Sequence, residues 1–438
     1  MRDIVFIIFF VIILFISFRK PFIAVSIWLW SGLFVPVYWL YGFAEAIRYN
    51  VVFAASAMIA YAFFKNKPPL KLDALFYLVL LFFIHTTITT NNTLIFPAVS
   101  WIIWENFFKV ILLFLFIYLI VRKQNHFSLM IWSIGLSIGF FGLVEGLKFI
   151  KSGGFHQIHG PSGHILADNN HMALALLMTI PLLIFLISIT PEKWLKIGLI
   201  GLVFVCVLAV LGTKSRGGFI GLVLVGGYFW LKTNRKLLAT IGFLIVLFVA
   251  SDLLPDKWFS RMETIKTAES DGSFSNRLVS WKIHTLMALE RPILGGGFRA
   301  PQYGHIWRSL SYDFDKLSFI PSSQPSDKGW AAHSIYFQVL GDHGFVGLSL
   351  YLSIIVLAFL KLSSIEKYFK NEWQSKLARM IKVSLMAYCV SGAAVSMAYF
   401  ELFYVLIAMI GCLSALKTAS ESQTKTERTK PDEAMWSK

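Results

Sequence analysis

Charged residues are scarce in this chain. Of its 438 residues, 15% are Asp, Glu, Lys or Arg, whereas 57% are hydrophobic. Soluble domains carry about 25% charged residues, so this balance excludes an ordinary soluble domain and indicates a membrane protein. Acidic residues are the scarcer of the two signs, with 24 Asp and Glu against 40 Lys and Arg.

Cysteine is rarer still. Cys206, Cys389 and Cys412 lie in apolar segments and lack the paired spacing of a zinc site or a disulfide framework, so we expect packing residues. No internal repeat of fixed period is visible. The first apolar run is not followed by a small-residue cleavage site, so we expect no cleavable signal peptide.

Long apolar runs are what the chain has in abundance. A bilayer core of roughly 30 Å needs about 20 apolar helical residues per crossing. The runs are apolar all round, which distinguishes them from the alternating strands of a spanning β-barrel. We therefore predict an all-α, polytopic membrane helix bundle. Its twelve or thirteen spans lie near residues 4–18, 22–43, 48–64, 73–90, 106–121, 128–148, 171–189, 196–213, 217–232, 236–254, 335–361, 380–397 and 400–416.

Basic residues collect in alternate connections between these spans. Lys and Arg beside a span favour the cytoplasmic side, so these connections predict the orientation of the chain. They include Arg19 and Lys20, Lys65 to Lys71, Arg122 and Lys123, Lys193 and Lys196, Lys232 to Lys236, and Lys361 to Lys382. The connections at 41–47, 91–105, 149–170, 214–216 and 255–334 then face the other side. Much of the net charge of +16 is this topology signal, and no nucleic-acid partner is predicted.

One external connection, residues 255–334, is far longer than the others. A loop of this length is uncommon unless it folds or functions. Its stretch "NRLVSWKIHTLMALERPILGGGF" has apolar residues at helical spacing and ends in Pro292 and three glycines, which indicates a helix on the membrane surface and then a turn. We therefore expect membrane helices in 1–254, a small external loop subdomain in 255–334, membrane helices in 335–416 and a disordered cytoplasmic tail in 417–438.

Two arginines stand out from this charge pattern. Arg216, in "GTKSRGGFIGL", occupies a very short external connection, where a positive residue opposes the topology signal. It is either an interfacial anchor, or an anion ligand acting with Lys214 and with backbone N–H groups that Gly217 and Gly218 leave accessible. Arg277, in "SFSNRLVSW", is either a solvated loop charge or a second guanidinium for phosphate.

Most histidines also lie on the external side. His333, in "AAHSIYFQVLGDHGFVGL", immediately precedes a predicted span and is either structural or a general base, since a neutral imidazole suits that task. His343 precedes Gly344 at a predicted helix break, which favours a capping role for this histidine.

The stretch "HQIHGPSGHILADNNHMALAL" ends another external connection. Its four histidines match no established metal-ligand spacing, so no metal site and no cofactor are predicted. Asn169, Asn170 and His171 stand at the start of a span. They either cap the helix or bind sugar or phosphate.

Three ordered stretches, "GTKSRGGFIGL", "NRLVSWKIHTLMALERPILGGGF" and "AHSIYFQVLGDHGFVGL", resemble the signature segments of the O-antigen ligase and polymerase superfamily. The opening "MRDIVFIIFFVIILFISFRKPFIAVSIWLW" is similar to the start of the branch of O-glycosylation ligases associated with exosortase systems. The resemblance covers the chain to about residue 415. It implies a metal-independent, inverting glycosyltransferase with a GT-C-like fold in the bacterial inner membrane. Its active site would face the periplasm.

The resemblance also implies substrates and residue roles. Such enzymes move a glycan from undecaprenyl diphosphate to an acceptor hydroxyl. Arg216, Arg277 and Lys214 would hold the donor diphosphate, His333 would activate the acceptor, and Gly217 and Tyr336 would be further substrate contacts. Guanidinium groups can stabilise the charge on the leaving phosphate without a divalent ion. Ser334 stands where many relatives carry Asn, which leaves the acceptor open.

Several functions share this chemistry. We rank an O-antigen ligase acting on lipid A–core in lipopolysaccharide synthesis first, because we expect no extra C-terminal periplasmic domain. A protein O-oligosaccharyltransferase and an O-antigen polymerase are the alternatives. A transporter or flippase would place ionisable residues near the middle of several spans, whereas Glu145 and Glu401 lie close to predicted ends.

Overall fold

The computed structural model describes residues 2–253 and 272–429. Within these residues the regular structure is helical and contains no strand, which confirms the predicted all-α class. The expectations for residues 254–271 and 430–438 lie outside the described residues.

The helices fall into two groups along the chain. Those of the first group are α1 (Arg2–Arg19), α2 (Pro21–Phe34), α3 (Tyr49–Ala62), α4 (Ala74–Asn91), α5 (Pro97–Ile120), α6 (Gln124–Ile134), α7 (Phe140–Lys151), α8 (Asn169–Ile189), α9 (Lys193–Gly212), α10 (Arg216–Lys232) and α11 (Lys236–Leu253). Those of the second group are α12 (Gly272–Glu290), α13 (Gly304–Ser311), α14 (Ile335–Tyr368), α15 (Trp373–Gly392) and α16 (Glu401–Thr429).

Seven helical runs in the described residues are long and apolar enough to cross a bilayer. They are Ala74–Asn91, Pro97–Ile120, Gln124–Lys151, Asn169–Ile189, Lys193–Gly212, Ile335–Tyr368 and Glu401–Gln423. The third run joins α6 and α7 through a π-helical turn. Pro21–Phe34, Tyr49–Ala62 and Lys236–Val246 are shorter apolar helices. The chain is therefore a multi-pass membrane protein, and the total of twelve or thirteen spans stays a prediction.

The span predicted over residues 22–43 is interrupted, which corrects the sequence-based boundary. α2 ends at Phe34, and short 3-10 turns follow at Pro36–Trp39 and Gly42–Ala44. Val35 has φ 46° and is left-handed, and the ring of Pro36 disfavours a helical conformation in the residue before it. The helix cannot continue through this pair, although every residue around it is apolar.

The last helix extends beyond its predicted end. α16 continues to Thr429, so residues 417–429 are helical although they were expected to be disordered. Lys417 Nζ donates to Ser364 Oγ at 2.6 Å and lies 3.5 Å from the carboxylate of Glu421. The bond to Ser364, together with the bond from the Tyr368 hydroxyl to Ser420 Oγ at 3.1 Å, docks the polar extension of α16 on α14, and composition by itself does not reveal such a partner.

Two helices form the interior of the bundle. Nearly every side chain of α8 is buried, and α8 packs against α9, α10 and α15. The apolar part of α16 is equally buried and packs against α5 and α14. By contrast, most side chains of α1 are exposed and apolar, as expected of a helix that faces lipid. The three cysteines are free, and Cys206 and Cys412 are buried.

The segment after residue 271 has a small hydrophobic core of its own. Its members come from α12, α13 and the 3-10 turn that follows, and they are Val279, Ile283, Leu286, Met287, Trp307, Leu310, Phe314 and Leu317. The stem of Lys282 crosses this core. Its Nζ donates to Ile320 O at 3.2 Å and lies 3.9 Å from the centre of the Phe314 ring. The described part of the long connection thus has a hydrophobic cluster of its own, and the boundaries 255–334 of the subdomain stay a prediction.

A glycine turn docks the subdomain on a break in α14. Gly344 has φ 67° and ψ −170°, which confirms the predicted helix break. The break frees two carbonyl groups, and the turn satisfies both. Gly296 N donates to Gly341 O at 3.0 Å, and Gly297 N donates to Asp342 O at 2.9 Å. In return, Phe345 N donates to Pro292 O at 2.8 Å.

Two polar residues beside the break are fully buried. Asp342 accepts hydrogen bonds from Arg299 N and from the Tyr399 hydroxyl, both at 2.9 Å. His343 Nδ1 lies 2.6 Å from Thr89 Oγ1, which links α14 to α4. The hydrogen bonds of Asp342 and of His343 Nδ1 fix one arrangement of the surrounding helices, whereas His343 Nε2 is buried without a partner among the described residues. His343 therefore has a structural role at the break.

Candidate active site

The starts of α8 and α10 meet at one end of the bundle. Asn169, the first residue of α8, donates from Nδ2 to Thr213 O at 2.8 Å. Ser215 Oγ donates to Asn170 Oδ1 at 2.7 Å. The short link between α9 and α10 is therefore held by the first two residues of α8. Asn169 and Asn170 act here as the support of the Arg216 segment.

The first turn of α10 presents Arg216 at a helix N-terminus. Ser215 caps this helix, because its Oγ accepts the N–H of Gly218 at 3.0 Å. Lys214 precedes the cap in the left-handed conformation, with φ 56°. The N-terminus of a helix carries a partial positive charge that favours anions, and Arg216 and Lys214 add to that charge.

The glycines after Arg216 serve helix packing. A Cβ on Gly218 would lie 2.8 Å from Ala173 Cβ, and one on Gly221 would lie 2.2 Å from Ser391 Oγ. Small residues at such contacts let helices approach closely in a membrane. Since Gly218 N–H binds the Ser215 cap, it is not open to a ligand, which corrects the interpretation of this glycine.

Gly217 contacts the last turn of α15 and the start of the segment that follows it. Its carbonyl accepts a hydrogen bond from Ser391 Oγ at 3.0 Å. A Cβ on Gly217 would lie 3.3 Å from Ala394 Cβ, so the two chains touch here. The Arg216 turn is thereby placed against residues 391–394.

The same segment holds His333. The backbone N–H of His333 donates to Ser396 Oγ at 2.8 Å. His333 has φ 46°, a conformation that a non-glycine residue adopts rarely. The stretch from Ser391 to Ser396 thus contacts Gly217 at one end and His333 at the other, and it joins the two predicted motifs.

α12 fixes the backbone just before His333. Trp281 Nε1 donates to Ala332 O at 2.8 Å, and Ser280 Oγ donates to Ala331 O at 2.8 Å. Arg277 lies one helical turn before Trp281, so both residues are on the same side of α12. The helix that carries Arg277 therefore packs directly along the approach to His333.

The charges around His333 confirm that these groups are neighbours. Burial lowers the pKa of His333 below its usual 6.5, and the positive charge of Arg277 lowers it further. The negative charge of the Asp168 carboxylate raises the pKa of His333 and so opposes these two effects. Burial would raise the pKa of Asp168, but His171 and the N–H groups at the start of α8 outweigh it and lower that pKa. His333, Arg277, Asp168 and His171 therefore share one electrostatic environment.

A second imidazole lies behind this group. His284 on α12 is fully buried, and its Nδ1 lies 2.8 Å from Ser280 O. Burial is the main cause that lowers the pKa of His284 to about 4, and the charge of His333 contributes. His284 is therefore neutral at physiological pH.

Two predicted substrate contacts have protein partners. The Tyr336 hydroxyl donates to Cys389 O at 3.0 Å, which ties the first turn of α14 to α15. His171 Nδ1 lies 2.6 Å from Ile165 O. His171 belongs to the charged group around His333, whereas the hydroxyl of Tyr336 is engaged in helix packing.

Sequence reasoning missed several residues that build this arrangement. Ser215 precedes an apolar run and so carried a detectable N-cap signal. Ser396 and Trp281 carried none, because their partners lie 63 and 51 residues away in the sequence.

Potential metal ligands do not cluster within the described ranges, 2–253 and 272–429. These ranges contain no group of three His, Cys, Asp or Glu side chains that could hold a metal ion.

Comparison with known families places most of these residues in one domain. Residues 201–352 match the O-antigen ligase family, and residues 1–190 match a family of unknown function (DUF5935). The ligase match includes Arg216, Arg277 and His333. A comparison with curated proteins gave no match. Residues 201–352 thus form a domain similar to the O-antigen ligase family, which supports the superfamily that the motifs resemble.

Proposed function

We propose that this protein is an inverting glycan ligase that uses an undecaprenyl-diphosphate-linked donor. The observation that carries the proposal is the segment Ser391–Ser396, which contacts both the Arg216 turn and the backbone of His333. A cationic helix N-terminus and a neutral imidazole are thereby held on one short support. Displacement of a diphosphate by a hydroxyl needs both.

The cations would act on the leaving group. Breaking the bond between the sugar C1 and the phosphate oxygen develops negative charge on the diphosphate. Guanidinium groups bind phosphate oxygens through two parallel N–H donors, and fixed donors in a partly dry site need little reorganisation. Arg216 and Arg277 would supply these forks, and Lys214 would supply a further positive charge. No divalent ion is required by this scheme.

His333 would act on the acceptor. A general base must be unprotonated, and burial together with Arg277 lowers the pKa of His333 below 6.5. At pH 7 the imidazole is therefore mainly neutral and can take the proton of the attacking hydroxyl. Attack from the side opposite the diphosphate inverts the anomeric centre. The carboxylate of Asp168 opposes part of this lowering of the His333 pKa.

The location of the group suits a lipid-linked donor. Arg216, Asn169 and His333 each stand at or just before the start of a helix, where the polar end of a membrane helix lies. The polyprenyl chain of the donor can stay among lipids while its diphosphate reaches these residues. From the distribution of basic connections, we assign this end to the periplasmic face of the bacterial inner membrane.

The acceptor that we propose is a hydroxyl of lipid A–core. The test is deletion of the gene, followed by glycan analysis of purified lipopolysaccharide and of pilin-type proteins. Loss of long glycan from lipopolysaccharide supports the lipid A–core ligase. Loss confined to protein identifies a protein O-oligosaccharyltransferase, and shortened chains that are still attached identify a polymerase.

A purified system tests the chemistry directly. The enzyme, glycan-loaded undecaprenyl diphosphate and lipid A–core are incubated with excess EDTA. We expect transfer to continue and the product to have the inverted anomeric configuration. Activity that is lost in EDTA and restored by a divalent ion would contradict the metal-independent scheme.

A further inference from the structure

An acidic side chain of α16 reaches α2 at the His333 end of the bundle. Glu401 is the first residue of α16 and of the membrane-spanning run Glu401–Gln423. A Cβ on Gly32 of α2 would lie 2.9 Å from each of its two carboxylate oxygens. Ionisable groups in membrane spans are costly, and they usually have a partner or mark a functional site.

The Glu401 carboxylate has no protein partner within residues 2–253 and 272–429. It forms no hydrogen bond and no ion pair there. By contrast, the carboxylate of Glu145 near the end of α7 binds Lys148 and His156, each at 2.7 Å. A Glu in the first turn of a helix is favoured by the helix dipole, yet this side chain binds no N–H of α16. Glu401 is only partly buried, so its oxygens can accept hydrogen bonds from a ligand.

An amide faces the carboxylate across Gly32. Asn50 Nδ2 would lie 3.0 Å from the same Cβ. Its hydrogen bonds to Trp28 O and Ser31 Oγ are both long, at 3.3 Å, and the side-chain oxygen of Asn50 has no partner in the described ranges. Because Gly32 has no side chain, the carboxylate and the amide converge on one point beside its backbone.

A loop connects this point to the charged group around His333. The ring of His164 donates to Gly32 O, and the ring of His171 lies 2.6 Å from Ile165 O. His171 shares the electrostatic environment of His333. The Glu401 carboxylate is therefore held beside the candidate active site, with residues 164–171 between them.

The groups that meet here are those that bind sugars. An ionised carboxylate accepts hydroxyl protons on both oxygens, and an amide both donates and accepts. An aromatic ring adds an apolar surface with a polar tip. Tyr38 supplies such a ring, because its side chain is 40% exposed and its ring centre lies 6.1 Å from that of His164.

We propose that Glu401 and Asn50 form a subsite for a sugar of the glycan substrates, whose hydroxyl groups donate to the carboxylate. The subsite rests on the proposed function and adds sugar recognition to it. Both residues lie outside the range 201–352 that matches the O-antigen ligase family. The donor glycan and the core oligosaccharide of the acceptor carry the same hydroxyl chemistry, and either can supply the sugar.

Titration with free sugars tests the subsite without requiring transfer. One probe is the glycan released from the lipid-linked donor by mild acid, and the other is the core oligosaccharide released from purified lipopolysaccharide. Each is titrated by calorimetry into the full-length protein in detergent. We expect Glu401→Gln to weaken binding of one probe by about tenfold, because hydrogen bonds to a charged group are the stronger ones. The probe that is affected identifies the sugar as part of the donor or of the acceptor.

Glu45→Gln is the matched control, because Glu45 is an exposed carboxylate in the connection 41–47. It should bind both sugars as the unmodified protein does. Thermal unfolding and titration with inorganic pyrophosphate should be unchanged in Glu401→Gln, whereas a purely structural Glu401 would alter stability and the binding of every probe. Asn50→Ala should weaken the same sugar by a smaller factor.

Sugar binding that is unchanged in Glu401→Gln overturns the subsite, and so does an equal loss of sugar and pyrophosphate binding. If Glu401→Gln does not fold, Asn50→Ala decides, and unchanged sugar binding in that variant overturns the subsite.

The two proposals fail in different ways. If a sugar binds through Glu401 but no glycan is transferred, the subsite stands and the transfer reaction is wrong. If glycan is transferred and Glu401→Gln has an unchanged KM for donor and acceptor, only the subsite is wrong. If neither sugar binds to the unmodified protein and no glycan is transferred, both proposals are wrong.

Discussion

The backbone of His333 is held in an uncommon conformation. A φ of 46° is rare for a residue with a side chain, and such positions cost of order 1 to 3 kcal/mol unless the surroundings enforce them. Here Ser396 binds the N–H of His333, and Trp281 binds the carbonyl before it. Backbone strain of this kind concentrates at functional sites. It places the imidazole beside the start of α14 without lengthening the loop.

Removal of the His333 imidazole tests its role as a base. We expect His333→Ala to lower turnover by roughly 10²- to 10⁴-fold, the usual contribution of general acid–base catalysis, with donor binding nearly intact. His305→Ala, at an exposed histidine of the same subdomain, is the control. The measurement is in vitro transfer normalised to folded enzyme. Normal turnover, or a defect confined to donor binding, would take the base role away from His333.

Charge and geometry can be separated at Arg216. Arg216→Lys keeps the positive charge but loses the planar fork, so we expect donor affinity to fall by about tenfold or more. Arg277→Lys should behave in the same way. Arg235→Lys, at an exposed position between α10 and α11, should leave affinity unchanged. If Arg216→Lys binds the donor as well as the unmodified enzyme, a positive charge is enough for donor binding, and the paired N–H donors of the guanidinium group are not needed.

The buried His284 predicts a dependence of stability on pH. Its pKa is lowered from 6.5 to about 4 in the folded protein. Above pH 6.5 both states are neutral, and the stability is complete. As the pH falls below 6.5, the unfolded chain binds a proton and the folded protein does not. The free energy of unfolding therefore decreases until the pH reaches the pKa of the folded state, and the total loss is about 3 kcal/mol.

The variant His284→Asn isolates the contribution of His284 to the pH dependence of stability. The Asn amide can still donate to Ser280 O but does not titrate. Thermal unfolding in detergent between pH 7.5 and 4.5 should show a steeper loss of stability for the unmodified protein than for the variant. Parallel curves would show that His284 does not titrate in this way.

At the scale of elements, the break in α14 connects the subdomain to the bundle. The glycine turn after α12 satisfies the carbonyls that the break exposes, and Asp342 binds Tyr399 near the start of α16. The first turns of α14 are therefore oriented by contacts from three directions. Their direction determines where His333 and Ser334 lie.

Gly344 is the residue on which this break depends. Its φ of 67° and ψ of −170° suit glycine, and a Cβ there would lie 2.5 Å from Pro292 O. We expect Gly344→Ala to lower the free energy of unfolding by about 3 kcal/mol. In Gly198→Ala the new Cβ meets nothing within 4 Å, so this control in α9 should be neutral or slightly stabilising. Equal stability of the two variants would contradict the role of Gly344.

At the scale of the molecule, the basic connections gather at the end of the bundle away from His333. Lys361 Nζ lies 2.9 Å from Asp73 Oδ2, and Tyr118 donates to the other oxygen of the same carboxylate at 3.0 Å. Arg122 lies beside them and contacts Cys412. Three connections that are distant in sequence thus form one basic end. This grouping supports the orientation inferred from the positive residues.

Fusions test that orientation. A reporter fused after Lys236 should give a cytoplasmic signal, and one inserted near Tyr312 should give a periplasmic signal, because Lys and Arg beside a span favour the cytoplasm. Tyr312 is a suitable insertion site since its side chain is 91% exposed. Exchanged signals would move the whole His333 group to the cytoplasm and would end the proposal of a periplasmic transferase.

The sequence by itself determined the all-α membrane class, the break at Gly344 and the resemblance to the superfamily. These follow from composition, from apolar period and from short motifs, which are local properties. It did not determine where α2 stops or that α16 continues to Thr429, because a conformational strain at Val35 and a docking contact of Lys417 decide these ends.

Only the tertiary structure decided how the motifs meet. Gly217 and His333 are joined through Ser391 and Ser396, and α12 reaches the His333 loop through Trp281. Each of these hydrogen bonds spans more than 50 residues of sequence, so no local pattern records it. The meeting of Glu401 with Asn50 across Gly32 is equally invisible in the sequence, since these residues lie near opposite ends of the chain and only folding brings them together.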